Sequence, residues 1–141
     1  MESQSPNIIL PKNPKKKYSI LICGSLCRLT LFEFACYFGK ITHLQAFGYD
    51  NQQEKKVVKA DNYSVIRFAA ESGQTDTIRY LETNLTTDEK KQAVKADDYG
   101  AFYRAALNGA LGTIRHLETH LTPKEKKQAV MVEEYSVIRE R

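Results

Sequence analysis

Apolar positions in this chain fall into short helical runs that return at a fixed interval. Tyr63, Ile66 and Ala70 recur at i, i+3 and i+7, one face of a helix over about 63–71. Ile78, Leu81 and Leu85 form the stripe of a second helix over about 75–84, and Ala93, Val94 and Ala96 give a third, shorter helix its apolar side. Tyr99 then opens the same series 36 residues after Tyr63, with Leu111, Ile114, Leu117 and Leu121 on its second helix. Thr77-Ile78-Arg79 returns as Thr113-Ile114-Arg115, Leu81-Glu82-Thr83 as Leu117-Glu118-Thr119, and Glu89-Lys90-Lys91-Gln92-Ala93-Val94 as Glu125-Lys126-Lys127-Gln128-Ala129-Val130. Tyr63-Ser64-Val65-Ile66-Arg67 appears again as Tyr135-Ser136-Val137-Ile138-Arg139. A period between about 20 and 50 residues is the mark of a solenoid.

Punctuation fits the same frame. Gly73 and Gly109 end the first helix of each unit, where a glycine takes the left-handed C′ conformation at little cost. Thr122-Pro123-Lys124-Glu125 is a capping box with proline at N1, and Thr86-Thr87-Asp88-Glu89 is the same box without the proline. Helices shorter than about 12 residues are marginal in water. Unit must therefore stack on unit, and the small pairs Ala69-Ala70 and Ala105-Ala106 let neighbouring helices approach.

The earlier chain reads as a degenerate first unit. Phe32, Ala35, Cys36 and Gly39 match Ile66, Ala69, Ala70 and Gly73 at a shift of 34, and Glu54-Lys55-Lys56 pairs with the later Glu-Lys-Lys. A terminal unit that departs from its neighbours caps one end of a stack. Residues 18–38 are the most apolar stretch, but Arg28 and Glu33 interrupt it, no Ala-x-Ala cleavage pattern follows, and a membrane span is not expected. Residues 1–17, with Pro6, Pro11, Pro14, Lys12, Lys15, Lys16 and Lys17, read as a disordered basic lead, a solubilising tail in preference to a nuclear-import tag. The expected fold is all-α, a short helical solenoid over 18–141 with three short helices per unit. Its units are about 29–62, 63–98 and 99–134, with a partial cap at 135–141.

Ala69-Ala70-Glu71-Ser72-Gly73 with Ile78-Arg79-Tyr80-Leu81, and Ala105-Ala106-Leu107-Asn108-Gly109 with Ile114-Arg115-His116-Leu117, resemble the ankyrin repeat over about 29–139. The Thr-Pro-Leu-His opening is absent, and a Leu-Thr-x-x-Glu-Lys-Lys helix stands where the ankyrin hairpin would. In this the chain resembles the divergent ankyrin-type effectors that intracellular bacteria deliver through type IV secretion. The resemblance implies a non-enzymatic protein-binding scaffold in the cytoplasm or a host cytosol, with an unidentified protein as partner. The alternative is a self-assembling repeat fragment of a larger array.

Composition changes this picture little. A net charge of +4 on 141 residues does not call for nucleic acid. Cys23, Cys27 and Cys36 have no zinc-like spacing and read as reduced core residues. No catalytic constellation is present and no cofactor is expected. His116 and His120, at i and i+4, have the spacing of two metal ligands. Tyr80 and Asn84 occupy the same places one unit earlier, so the expectation is a solvent-facing, freely varying pair and no metal. Two surfaces remain. Lys55-Lys56, Lys90-Lys91 and Lys126-Lys127 would line up as a basic ridge. With Tyr63, Ile66 and Ala70 inward, Ser64, Phe68 and Glu71 should face outward, as should Arg104 and Leu107, with Arg67 and Tyr103 at the edge, forming a groove for a protein.

Overall fold

In a computed structural model of the chain, residues 17–22 and 25–139 are described. Among them run two strands, β1 (Lys17–Ile22) and β2 (Ser25–Thr30), and seven helices: α1 (Leu31–Tyr37), α2 (Ile41–Ala46), α3 (Asn51–Glu71), α4 (Thr75–Glu82), α5 (Thr87–Leu107), α6 (Leu111–Glu118) and α7 (Pro123–Arg139). None of these helices is long and apolar enough to cross a membrane.

The chain is mostly helical, consistent with the all-α expectation, and adds one two-stranded hairpin that this expectation does not include. β1 and β2 pair antiparallel, with Lys17 opposite Thr30 and Ile22 opposite Ser25. Lys17, assigned above to the lead, therefore begins a strand. A short apolar run does not distinguish strand from buried helix by its period. Here only two residues separate the strands, a connection length typical of hairpins. Thr30 ends β2 and caps α1 at once: its hydroxyl accepts from the Glu33 N–H at 3.1 Å, and its own N–H donates to the Glu33 carboxylate at 2.9 Å. The rest of the lysine cluster at 12–16 lies outside the described residues, as do the side chains of the cap at 135–141.

The first and third helices of adjoining units are joined end to end inside α3 and α5. Each long run is broken by three consecutive left-handed residues: Asp61, Asn62 and Tyr63 at φ 52°, 56° and 60°, and Asp97, Asp98 and Tyr99 at 57°, 51° and 60°. Asn and Asp are the non-glycine residues that tolerate this region best. The tyrosines are held there by buried rings and by hydroxyls that donate to Gln92 at 3.3 Å and Gln128 at 3.2 Å. Three helical pieces per 36 residues thus do occur, at 51–59, 64–71 and 75–82 and again at 87–95, 100–107 and 111–118.

The caps correct the register of the first unit. Asp50–Gln53, Thr86–Glu89 and Thr122–Glu125 are all reciprocal capping boxes, at even spacings of 36. Lys55 and Lys59 consequently correspond to Lys91 and Lys95, and Glu54 corresponds to Lys90. The shortfall of two residues lies in α2, which has 6 residues where α4 and α6 have 8. Gly39, Gly73 and Gly109, each just past a helix, all have φ near 70°.

The core runs through the stack as rows of equivalent residues. Phe32, Ile66 and Phe102 form one row, Ala35, Ala69 and Ala105 another, and Val58 and Val94 a third, all buried. Cys36 is a free thiol inside this core, as expected, and burial raises its pKa, with help from Glu33 and Glu54. The side chains of Cys23 and Cys27 lie outside the described residues.

Candidate functional site

Glu82 closes α4 and is buried, 4% exposed. His116 stands in the last turn of α6, and His120 lies just past its end, where a bond from its N–H to the Leu117 carbonyl at 3.2 Å keeps the chain turning. The i, i+4 spacing therefore still places both rings on one side, edge to face with centroids 5.2 Å apart. Both rings point at Glu82: His116 Nε2 is 2.7 Å from Oε1, and His120 Nε2 is 2.7 Å from Oε2. The solvent-facing expectation is thus overturned, since each imidazole is only 14% exposed. A bridge between the Thr75 and Thr113 hydroxyls at 2.8 Å holds α4 and α6 together at the other end of the same seam.

The two contacts are not equivalent. His116 Nε2 is hydrogen-bonded to Glu82, whereas His120 Nε2 and Glu82 Oε2 are both buried without an aligned hydrogen-bond partner despite their separation of 2.7 Å. Burial pushes the Glu82 carboxyl up, and the adjoining His120 and His116 outweigh it, so its pKa lies below the ordinary value. One ligand-type atom from each of Glu82, His116 and His120 falls within 4.8 Å of the others.

The groove residues are less open than expected. Ser64 is buried and donates to Glu33 Oε2 at 3.0 Å. Phe68 is half-buried under the Arg104 guanidinium, 5.7 Å from its ring centre, and Arg104 also pairs with Glu71 at 3.1 Å. Arg67 ties two successive left-handed turns together, donating to the Asp61 carbonyl at 2.9 Å and to Asp97 Oδ2 at 3.0 Å. Gly100, the twin of Ser64, makes room for it: a Cβ there would sit 3.2 Å from Arg67 Cδ. Tyr103 is half-buried, and Leu107 is exposed at 49%. The set lies along the seam between consecutive first helices, and only Leu107 stands clear of it. At the matching place on α1, Phe34, Tyr37 and Phe38 pack ring against ring, with Phe38 at 43% exposure. These three are absent from the groove expected above, although the 34-residue shift aligns Phe34 with Phe68.

The basic ridge is not a regular row. Lys55 and Lys91 hold equivalent places and are drawn to carboxylates of the next unit. Lys55 and Lys59 reach Glu89 at 2.7 and 2.9 Å, and Lys91 and Lys95 reach Glu125 at 3.2 and 3.3 Å. Lys56, Lys126 and Lys127 are exposed and Lys90 is half-buried, but Lys56 corresponds to Gln92 and Lys90 to Glu54. Glu89 and Glu125, assigned above to capping alone, thus also join units.

Comparison of the chain with protein-family models, with curated proteins and with solved structures found no match.

Proposed function

We propose that the chain is a non-enzymatic protein-binding module, an ankyrin-like stack of 36-residue helical units. One contrast carries this reading. Along the face of the first helices, the phenylalanine at 34 and 68 gives way to Arg104, and Tyr37 to Glu71 and Leu107, while the glycines, caps and buried rows of the same units persist. Repeat proteins work this way, with a constant frame and varied contact residues. Aromatic and arginine side chains are also those that most often carry binding energy.

The exposed large apolar residues beside this face are Leu107 and, one place past α1, Phe38. Capture from eukaryotic cell lysate by the wild-type chain, compared with Phe38→Ser plus Leu107→Ser, tests the reading. The expected outcome is a partner held by the wild type and lost by a variant of unchanged helical circular dichroism. Equal capture by both chains, or none by either, would sink it.

A second reading, self-association, has its own observation. Val130 is 41% exposed and its neighbour Met131 68%, whereas Val94, one unit before Val130, is fully buried; Leu111 on α6 is exposed at 64%. A further copy lying over α6 and α7 would cover these residues. A mass in sedimentation equilibrium that stays monomeric across concentrations would dispose of this alternative.

A further inference from the structure

We propose that Glu82, His116 and His120 form a binding site for a divalent transition-metal ion, Zn²⁺ foremost, that fastens α4 to α6. The donor set carries the inference. Two imidazole nitrogens and one carboxylate oxygen are the ligands that suit zinc, in a three-ligand arrangement that leaves a fourth position for water. Borderline ions such as Co²⁺, Ni²⁺ and Cu²⁺ take the same donors.

Geometry supports the assignment in three ways. The donor atoms come from different units, yet both histidines present the same nitrogen, Nε2, to one carboxylate. They are screened from water, with Glu82 at 4% exposure, so the ion would sit in a dry seam instead of on an open surface. His120 Nε2 and Glu82 Oε2 face each other at 2.7 Å without an aligned hydrogen bond. At that separation the two atoms attract only through a proton or a cation between them, and a metal ion could take that place. Zn–N and Zn–O bonds of about 2.0–2.2 Å at tetrahedral angles separate ligand atoms by roughly 3.3 Å. The His120 Nε2–Glu82 Oε2 pair must therefore part by roughly 0.6 Å, and His116 Nε2, already within 4.8 Å of the other ligand atoms, must adjust by side-chain rotation. A metal ion also offsets the buried carboxylate charge while the imidazoles stay neutral.

The repeat supplies its own control, since Tyr80 and Asn84 stand one unit earlier where His116 and His120 stand. The test is calorimetric titration of the full chain with ZnCl₂ at neutral pH, in a Cys23→Ser, Cys27→Ser background that removes those two thiols as competing ligands. Beside it stand His116→Tyr with His120→Asn, and Glu82→Gln. The expected result is one Zn²⁺ per chain, with affinity weakened at least about 100-fold in the His variant, beyond the 10–100-fold that changes outside the ligand shell cause. Glu82→Gln should weaken binding without unfolding the chain, as checked by circular dichroism. Co²⁺ should give the visible d–d bands of a four-coordinate site without a thiolate charge-transfer band. No binding by the background chain, equal binding by the His variant, or a thiolate band would each overturn the proposal.

Discussion

Two seams of this molecule hold equivalent places in successive units and differ in chemistry. Where α6 lies against α4, a buried carboxylate meets two imidazoles. One unit earlier α2 closes on Ala46, with no carboxylate where α4 closes on Glu82, while His116 and His120 are replaced by Tyr80 and Asn84. Tyr80 turns elsewhere and donates to Glu54 at 3.4 Å. The difference teaches that a repeat separates its tasks. The apolar rows and caps that hold a unit to its neighbour are copied, and a few polar places are left free to acquire a new role. Glu118 makes the same point: it repeats Glu82 in sequence but stays half-buried.

The largest effect should come from the copied part and should be alike on both sides. Leu81 and Leu117 are equivalent and are 1% and 0% exposed. Replacing either with alanine removes apolar contact and leaves a cavity, and should reduce stability by about 3 kcal/mol in urea denaturation. Similar losses would show that the two seams share one apolar frame. A loss several-fold larger on one side would mean that the polar difference reaches into packing and that the units are not interchangeable.

Next comes the part that differs. Glu82→Gln keeps the shape but removes the charge that both imidazoles face, and it should reduce stability by about 2 kcal/mol, the scale of hydrogen bonds to charged groups. Glu118→Gln, at a half-buried carboxylate outside those two contacts, should change stability by less, about 0.5 kcal/mol. Equal effects in thermal or urea denaturation would break the contrast between the seams.

How far the sequence reached can be judged on the same residues. The helices, the glycine stops and the Thr86 and Thr122 boxes were legible because their causes are local: spacing, φ preference and a hydroxyl three residues from a glutamate. The buried rows followed from the helical period. Glu82 was not legible as the partner of two histidines, because their meeting depends on how α4 lies against α6, more than 30 residues apart in sequence. The outward side of the first helix was misjudged for a similar reason: 100° per residue fixes the direction of Ser64 and Phe68 but does not reveal that α1 and residues 100–107 cover them. The hairpin was missed because a six-residue apolar strand has too few residues to display its period. The Glu-Lys-Lys of the first unit stands one residue out of step with the later two, and the Asp50–Gln53 box sets the true register.

The smallest effect concerns what the seams hold in common. Glu89 is held at about 2 chiefly by the Lys55 ammonium, then by the Thr86 N–H and Lys59. Glu125 is held at about 2 chiefly by the Thr122 N–H, against burial, with the Thr122 hydroxyl, Lys91 and Lys95 adding to it. Both carboxyls titrate lower in the folded chain than the ordinary 4.5 they regain on unfolding. A carboxyl with a depressed folded pKa contributes stability that is fully present above the unfolded value and is lost as pH falls through the folded one. Stability should therefore decline between about pH 4.5 and 2, and Glu89→Gln with Glu125→Gln should flatten that decline while leaving the fold intact. The two carboxylates are only 12% and 14% exposed, but their lysine partners are a third to nearly a half exposed, so salt reaches the pairs; the change should be smaller than for Glu82 and should shrink further as ionic strength rises. Carboxyl NMR titration distinguishes the sites directly. Two matching midpoints near 2 would make the Lys–Glu–Lys bridge a feature copied from seam to seam. A normal midpoint at either glutamate would place that bridge among the features, like the two histidines, that belong to one seam alone.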